Sequence, residues 1–257
     1  MIGSNNITAS VFGFAGGMDC HLTPSTRVGF ALAGGGTNWD LANALGVGRS
    51  DALQLGGYGI SWFGSAYTAG ALSFSNYWFS TNRSALGDQL TASFIEQSYG
   101  ARFEGGYRYG VMPTLSVIPY GAVQVQNLHT PAYSERDRSG GGFGLSYAAR
   151  NATDVRTELG ARVDVPTVLA GTPLVLYGRA AWAQDFVGNP ESSAAFEALP
   201  GASFTISGAP IPHDTALTSV GARLYLSGNW SLAATFNGDF AQGSQTYSGN
   251  SKLRYAW

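Results

Sequence analysis

The fold that this sequence predicts is an all-β, antiparallel transmembrane β-barrel of the outer-membrane type, and three observations predict it. The first is composition. Charged residues make up 12% of the 257 residues, against about 25% in an ordinary soluble domain. Yet mean hydropathy is −0.01, and no run approaches the ~18–20 apolar residues of a membrane helix. Few charges without a hydrophobic run is what alternating exposure produces. The second is that alternation itself, apolar on one face and polar on the other. The third is the spacing of the connections, in which short and longer segments alternate along the chain.

Eleven candidate strands follow one another between clusters of Gly, Asn, Asp, Ser and Pro: 7–20, 26–36, 50–63, 66–79, 90–109, 115–128, 142–165 (which a break near 151 would divide), 173–186, 214–227, 229–240 and 246–257. Alternation is clearest where charges fall. In 90–109, Ile95, Tyr99, Phe103, Tyr107 and Tyr109 oppose Glu96, Ser98, Arg102, Glu104 and Arg108. In 155–165, Val155, Leu159, Val163 and Val165 oppose Arg156, Glu158, Arg162 and Asp164. Leu174, Leu176, Trp182 and Phe186 oppose Arg179 and Asp185, and Trp230, Leu232, Phe236 and Phe240 oppose Asn229, Ser231, Asn237 and Asp239. Val28, Phe30 and Leu32 oppose Arg27 and a row of Gly and Ala. The strands 50–63 and 66–79 are ambiguous by this test.

The last strand ends on Leu253, Tyr255 and Trp257, all on one face, with Lys252 and Arg254 on the other. A soluble edge strand finishing on Trp would leave a large apolar group at a frayed end, whereas aromatic rings are at home at the lipid–water interface. Trp62, Trp78, Trp182 and Trp230 are expected at that interface too. A soluble sandwich also alternates, but both signs of charge share single strands with Gly between them, which suits the inside of a tube. The connections 22–26, 64–65, 110–114 and the one at Gly228 read as short; 37–49, 80–89, 129–141 and 187–213 read as long; 166–172 and 241–245 read as medium. Outer-membrane barrels have short periplasmic turns and longer outer loops, so the C-terminus is expected in the periplasm. An odd strand count then leaves the N-terminus outside. Single-chain bacterial barrels have even counts, so one further strand is expected before residue 1. The first ten residues have no charged n-region and no apolar h-region, so an exported chain with this sequence is expected to be processed or truncated.

In order and spacing, FGFAGGMD (12–19), TRVGFALAGG (26–35), LGGYGISWFG (55–64), ARFEGGYRYG (101–110), VIPYGAVQ (117–124), TELGARVDV (157–165), LYGRAAWAQDF (176–186), VGARLYL (220–226) and the terminal LRYAW (253–257) resemble the C-terminal translocator domain of type V secretion autotransporters. The resemblance covers essentially the whole chain. It implies one domain over 1–257, N-terminally incomplete, with a twelve-stranded barrel whose first strand is missing here. It also implies an upstream passenger and a pore-threading helix, neither of them in this sequence. Leu253, Tyr255 and Trp257 would be the strand read by the barrel-assembly machinery. Trp257 stands where that family usually ends on Phe.

Other chemistry is not suggested. The one cysteine, Cys20, excludes an internal disulfide, and a net charge of −2 points to no nucleic acid. His21, His129 and His213 sit in what read as three different connections, without ligand spacing. His213 and Asp214 are adjacent and would point to opposite faces. GGGTNWD (34–40) and SGGGFG (139–144) lack the GK[ST] of a phosphate loop. No catalytic, cofactor or metal site is expected. The functional candidates are inward charges: Arg27, Glu96, Arg102, Glu104, Arg108, Arg156, Glu158, Arg162, Asp164, Arg179, Asp185, Arg223, Asp239, Lys252 and Arg254. They would pair across strands or line a hydrated conduit. The expected role is non-catalytic export of a passenger across the outer membrane; a passive porin-like pore is the alternative.

Overall fold

The computed structural model describes residues 7–188, 191–199, 201–208 and 211–257. Residues 1–6, which carry part of the N-terminal reading, lie outside the described residues. Eleven long strands form one sheet: β1 (Ile7–Thr23), β2 (Thr26–Leu41), β3 (Gly46–Phe63), β4 (Ala66–Ala85), β5 (Asp88–Tyr107), β6 (Leu115–Thr130), β7 (Arg150–Leu169), β8 (Thr172–Phe186), β9 (Asp214–Tyr225), β10 (Trp230–Ala241) and β11 (Ser244–Tyr255). Each is antiparallel to the next in chain order. The number and order match the sequence reading.

The sheet is curled. Arg162 on β7 donates to the hydroxyl of Tyr67 on β4 over 2.7 Å, although three strand spacings, about 14 Å along a flat sheet, separate them. β1 and β11 exchange no backbone hydrogen bonds among the described residues. A side chain joins these edges instead: Arg254 donates to Asp19 over 2.7 Å.

The strands reach further than expected, and the alternation of connection lengths is weaker. The supposed long connections 37–49 and 80–89 are hydrogen-bonded hairpin extensions, leaving only 42–45 and Leu86–Gly87 as turns. Leu86 (φ 49°) and Gly87 (φ 95°) are both left-handed, the signature of a two-residue type I′ hairpin turn. Ala170–Gly171 repeats it, so 166–172 is a tight turn rather than a medium loop. Gln242–Gly243 likewise replaces the medium loop 241–245. Gly, Asn and Ser were read as loop signals, but beyond the ~9–11 residues that cross the bilayer a paired strand is free to be polar on both faces.

Of the two readings of 142–165, the structure shows the one with a break near 151. The stretch 142–165 is not one strand, since β7 begins at Arg150. Leu145–Tyr147 belongs to a second, small sheet with Tyr133–Ser134, Glu191–Phe196 and Ser203–Ser207. That sheet is built from the two long connections, 131–149 and 187–213. Tyr133 stacks on the inward Phe94 (4.1 Å between centroids) and on Tyr147 (4.7 Å). Burial there pushes the Tyr133 hydroxyl up to about 12. Arg83 binds Glu135 through two bonds of 2.9 and 2.6 Å, tying the loop to β4.

The outward face is apolar and bare. Phe14 is 84% exposed, Leu159 64% and Phe236 52%, and Phe103, Val220 and Leu253 share that face. Large apolar side chains standing free on every part of a sheet make a surface that water does not tolerate at this size and lipid does. Cys20 is exposed on it too.

Candidate functional site

The inner face is the candidate site, and it divides into two walls. On β4 to β8 it is filled. Glu104 accepts from Arg162 (2.7 and 2.9 Å), Arg102 (3.0 Å) and the Tyr67 hydroxyl (2.8 Å). Glu158 accepts from Arg102 (3.0 Å), Arg179 and the Tyr120 hydroxyl. Arg179 also donates to Tyr120 over 2.6 Å, and the Arg162 guanidinium lies 4.0 Å from the Tyr120 ring centre. Three arginines, two glutamates and two tyrosines are thus one network, with Glu158 only 3% exposed. Arg156–Asp185 (2.5 and 2.9 Å) and Arg108–Asp164 (2.9 Å) flank it. Each carboxylate receives several charged donors, which offsets the cost of leaving water.

On β9, β10, β11, β1 and β2 the inner face is nearly bare. β10 and β11 pair Thr235 with Asn250 and Asn237 with Ser248, and set Ser231 and Ala233 opposite Arg254 and Lys252, while β1 and β2 pair Ala15 with Ala33 and Gly17 with Ala31. The other inner charges here are Arg27 and Arg254, which share Asp19, and Arg223, Asp239 and Lys252, which join no ion pair among the described residues.

One pairing recurs around the sheet. Four inner tyrosines lie across a glycine directly opposite on a neighbouring strand: Tyr58 on Gly29, Tyr67 on Gly106, Tyr120 on Gly160 and Tyr177 on Gly221. A methyl group on Gly106 would sit 2.6 Å from the Tyr67 ring, and one on Gly221 2.5 Å from that of Tyr177. Glycine is there because the ring occupies the space of its side chain.

By register the predicted inward charges lie on the inner face, except Arg108, which sits between paired segments and reaches that face through Asp164. Glu96 accepts from Thr130 (2.6 Å). The network brings together Arg102, Glu104, Glu158, Arg162 and Arg179, while Arg223, Asp239 and Lys252 join no ion pair among the described residues. Trp78, Trp182 and Trp230 point outward, 44%, 52% and 43% exposed, and Trp230 packs on Tyr255. Trp62 is a correction: it pairs directly with the buried Tyr67, 4.9 Å between centroids, and so points inward. It packs there with Ile60, Ile118 and Tyr120, so the interior is not uniformly polar. His21 and His129 lie within strands rather than connections; they meet Arg27 and Asn151. Tyr67, Tyr120, Tyr58 and Asp19 were missed. The signal for the tyrosines was an inner glycine opposite each, readable only once register is known.

The Autotransporter beta-domain family profile matches residues 2–237. No curated protein matches the sequence. Among solved structures, the translocator domain of autotransporter NalP from Neisseria meningitidis aligns with a TM-score of 0.80 at 18% identity, covering 97% of this chain and 82% of that one. The β-domain of the Bordetella autotransporter BrkA aligns at 0.73 and 19% identity, covering 97% and 92%. The transport unit of AIDA-I from Escherichia coli aligns at 0.54 and 13%, covering 99% and 87%. An apolar belt outside, a polar bore inside and a family match over nearly the whole length agree: the chain belongs to the autotransporter β-domain family, the outer-membrane translocators of type V secretion.

Proposed function

We propose that this barrel passes an upstream passenger polypeptide through its bore, along the small-residue wall, and catalyses no reaction itself. The observation that carries this reading is the division of the inner face. The packed network gives one wall rigidity, while the Gly, Ala, Ser, Thr and Asn positions of β9 to β11 and β1 to β2 leave open, hydrated space with little apolar surface to hold a chain. The end with only short turns, at 24–25, 64–65, 113–114, 170–171 and 226–229, opposite the long connections 131–149 and 187–213, is the periplasmic end, which puts the C-terminus in the periplasm. Leu253 and Tyr255, on the outward row of β11, and Trp257, stacked on Tyr255 just past its end, are the face offered to the assembly machinery. The domain spans 1–257, its barrel completed by a strand upstream.

The test is surface display. An epitope fused upstream, behind a signal peptide and the natural sequence preceding residue 1, is expected to become accessible to antibody and protease on intact cells. An epitope that stays periplasmic while the barrel is folded and inserted would refute export and leave a passive pore.

A further inference from the structure

The small-residue wall carries an unbalanced charge at one end. On β9 to β11, Arg223 stands opposite Ala233, and Ala233 stands opposite Lys252. The two cations therefore share a row, two strand spacings or about 10 Å apart, with only a methyl group between. Two residues on, Arg254 stands opposite Ser231. Arg254 reaches Asp19 on β1 (2.7 Å), and Arg27 on β2 reaches the same carboxylate at 3.6 Å. Four cations thus line this arc around a single carboxylate, which already accepts from the Tyr58 hydroxyl as well. Arg223 lies 5.7 Å from the Tyr177 ring centre, and that ring is fixed by a 2.6 Å hydroxyl contact with Thr235. The nearest further carboxylate on this wall, Asp239, is six residues along β10 from Ala233, about 20 Å away. Asp164, near the same end, is held by Arg108 on the packed wall. The arc lies at the short-turn end of the bore.

We infer that this arc is a docking surface for a carboxylate-rich segment of polypeptide in the bore. The inference rests on the reading that the bore admits polypeptide, and it names the chemistry of the segment. The arc's charge is not consumed by the fold, because Arg223 and Lys252 make no ion pair among the described residues. The space beside them is open, because their neighbours are Ala and Ser. An extended or helical segment with Asp or Glu would supply the missing partners, and charge complementarity of this kind steers entry as well as holding the bound state.

The test uses the protein extracted from membranes in detergent and rhodamine-labelled peptides of Glu and Ala or of Lys and Ala, at low salt. The acidic peptide should raise anisotropy and the basic one should not. The double variant R223Q/K252Q should weaken acidic binding about tenfold while the barrel stays heat-modifiable on gels. It breaks no ion pair, so folding is expected to survive. The inverted variant R223E/K252E should take the basic peptide. Equal binding of both peptides, an unchanged affinity in R223Q/K252Q, or displacement by inorganic phosphate as effective as by free acidic peptide would overturn the inference. Surface display succeeding without peptide binding would defeat this inference alone; binding without display would defeat export and leave the arc standing.

Discussion

The packed wall of β4 to β8 and the bare wall of β9 to β11 with β1 and β2 obey the same alternation and differ in what fills the inner positions. The first spends its charges on itself: each of Glu104, Glu158, Asp164 and Asp185 holds at least one arginine. The second leaves Arg223, Lys252 and Asp239 unmatched among the described residues and, between a few larger groups such as Leu217, His21, Trp39 and the Asp19 pairs, carries mostly Gly, Ala, Ser, Thr and Asn. One side of a polar bore therefore works as a core, in which removing a partner strands a charge. The other side works as a surface.

The largest expected effect separates the walls directly. Glu158→Ala strands Arg179, takes one of two carboxylates from Arg102 and the acceptor from the Tyr120 hydroxyl, and should cost about 3–5 kcal/mol of barrel stability, the usual range for breaking a buried pair. Asp239→Ala should fall within about 0.5 kcal/mol of wild type. Urea unfolding in detergent or lipid reads both, and equal costs would erase the distinction.

Glycines give a smaller contrast. Gly106→Ala puts a methyl group 2.6 Å from the Tyr67 ring and 2.8 Å from the Pro119 carbonyl, and overpacking of that kind costs about 1–3 kcal/mol. Gly249→Ala, on the outer face of β11 with nothing within 4 Å, should be neutral. A neutral Gly106→Ala in the same unfolding assay would mean that the tyrosine does not lie where it is described.

The smallest effect concerns the loop over the packed wall. The Asp137 carboxylate accepts N–H groups from Gly142 (2.7 Å), Gly140 (2.8 Å) and Ser139 (2.9 Å), which hold it below the usual carboxylate range. A depressed folded value stabilises the loop fully above the ordinary carboxylate range and loses that stabilisation as pH falls through the folded value. Amide exchange in 138–144, corrected for intrinsic rates, should thus speed up on acidification below that range, and Asp137→Asn should remove the pH dependence.

Much of this was legible in the sequence, for physical reasons that also explain the rest. In β5, β7, β8 and β10 charge marks the inner face, so period-2 alternation assigns both sides. In β3 and β4 the inner residues include Tyr58, Ile60, Trp62 and Tyr67, as apolar as the outer ones, and the faces become unreadable; Trp62 was misassigned for that reason. Polar hairpin extensions look like loops because nothing outside the bilayer requires one apolar face. The network itself depends on curl and register. Arg162 and Tyr67 are 95 residues apart, and no local pattern signals that they meet.

The central claim, that polypeptide passes along the bare wall, is tested most directly by cross-linking a stalled passenger that carries a single cysteine. After Cys20→Ser removes the native thiol, cysteine is placed on the bare wall at Ala233 or Asn250, or on the packed wall at Ala181. Disulfide formation with the stalled chain is predicted at Ala233 and Asn250 and not at Ala181, where the inner face is packed against Tyr67, Ile118 and Tyr120. Cross-links at Ala181 equal to those at Asn250, or at Ala181 alone, would contradict the division of the bore on which this account stands.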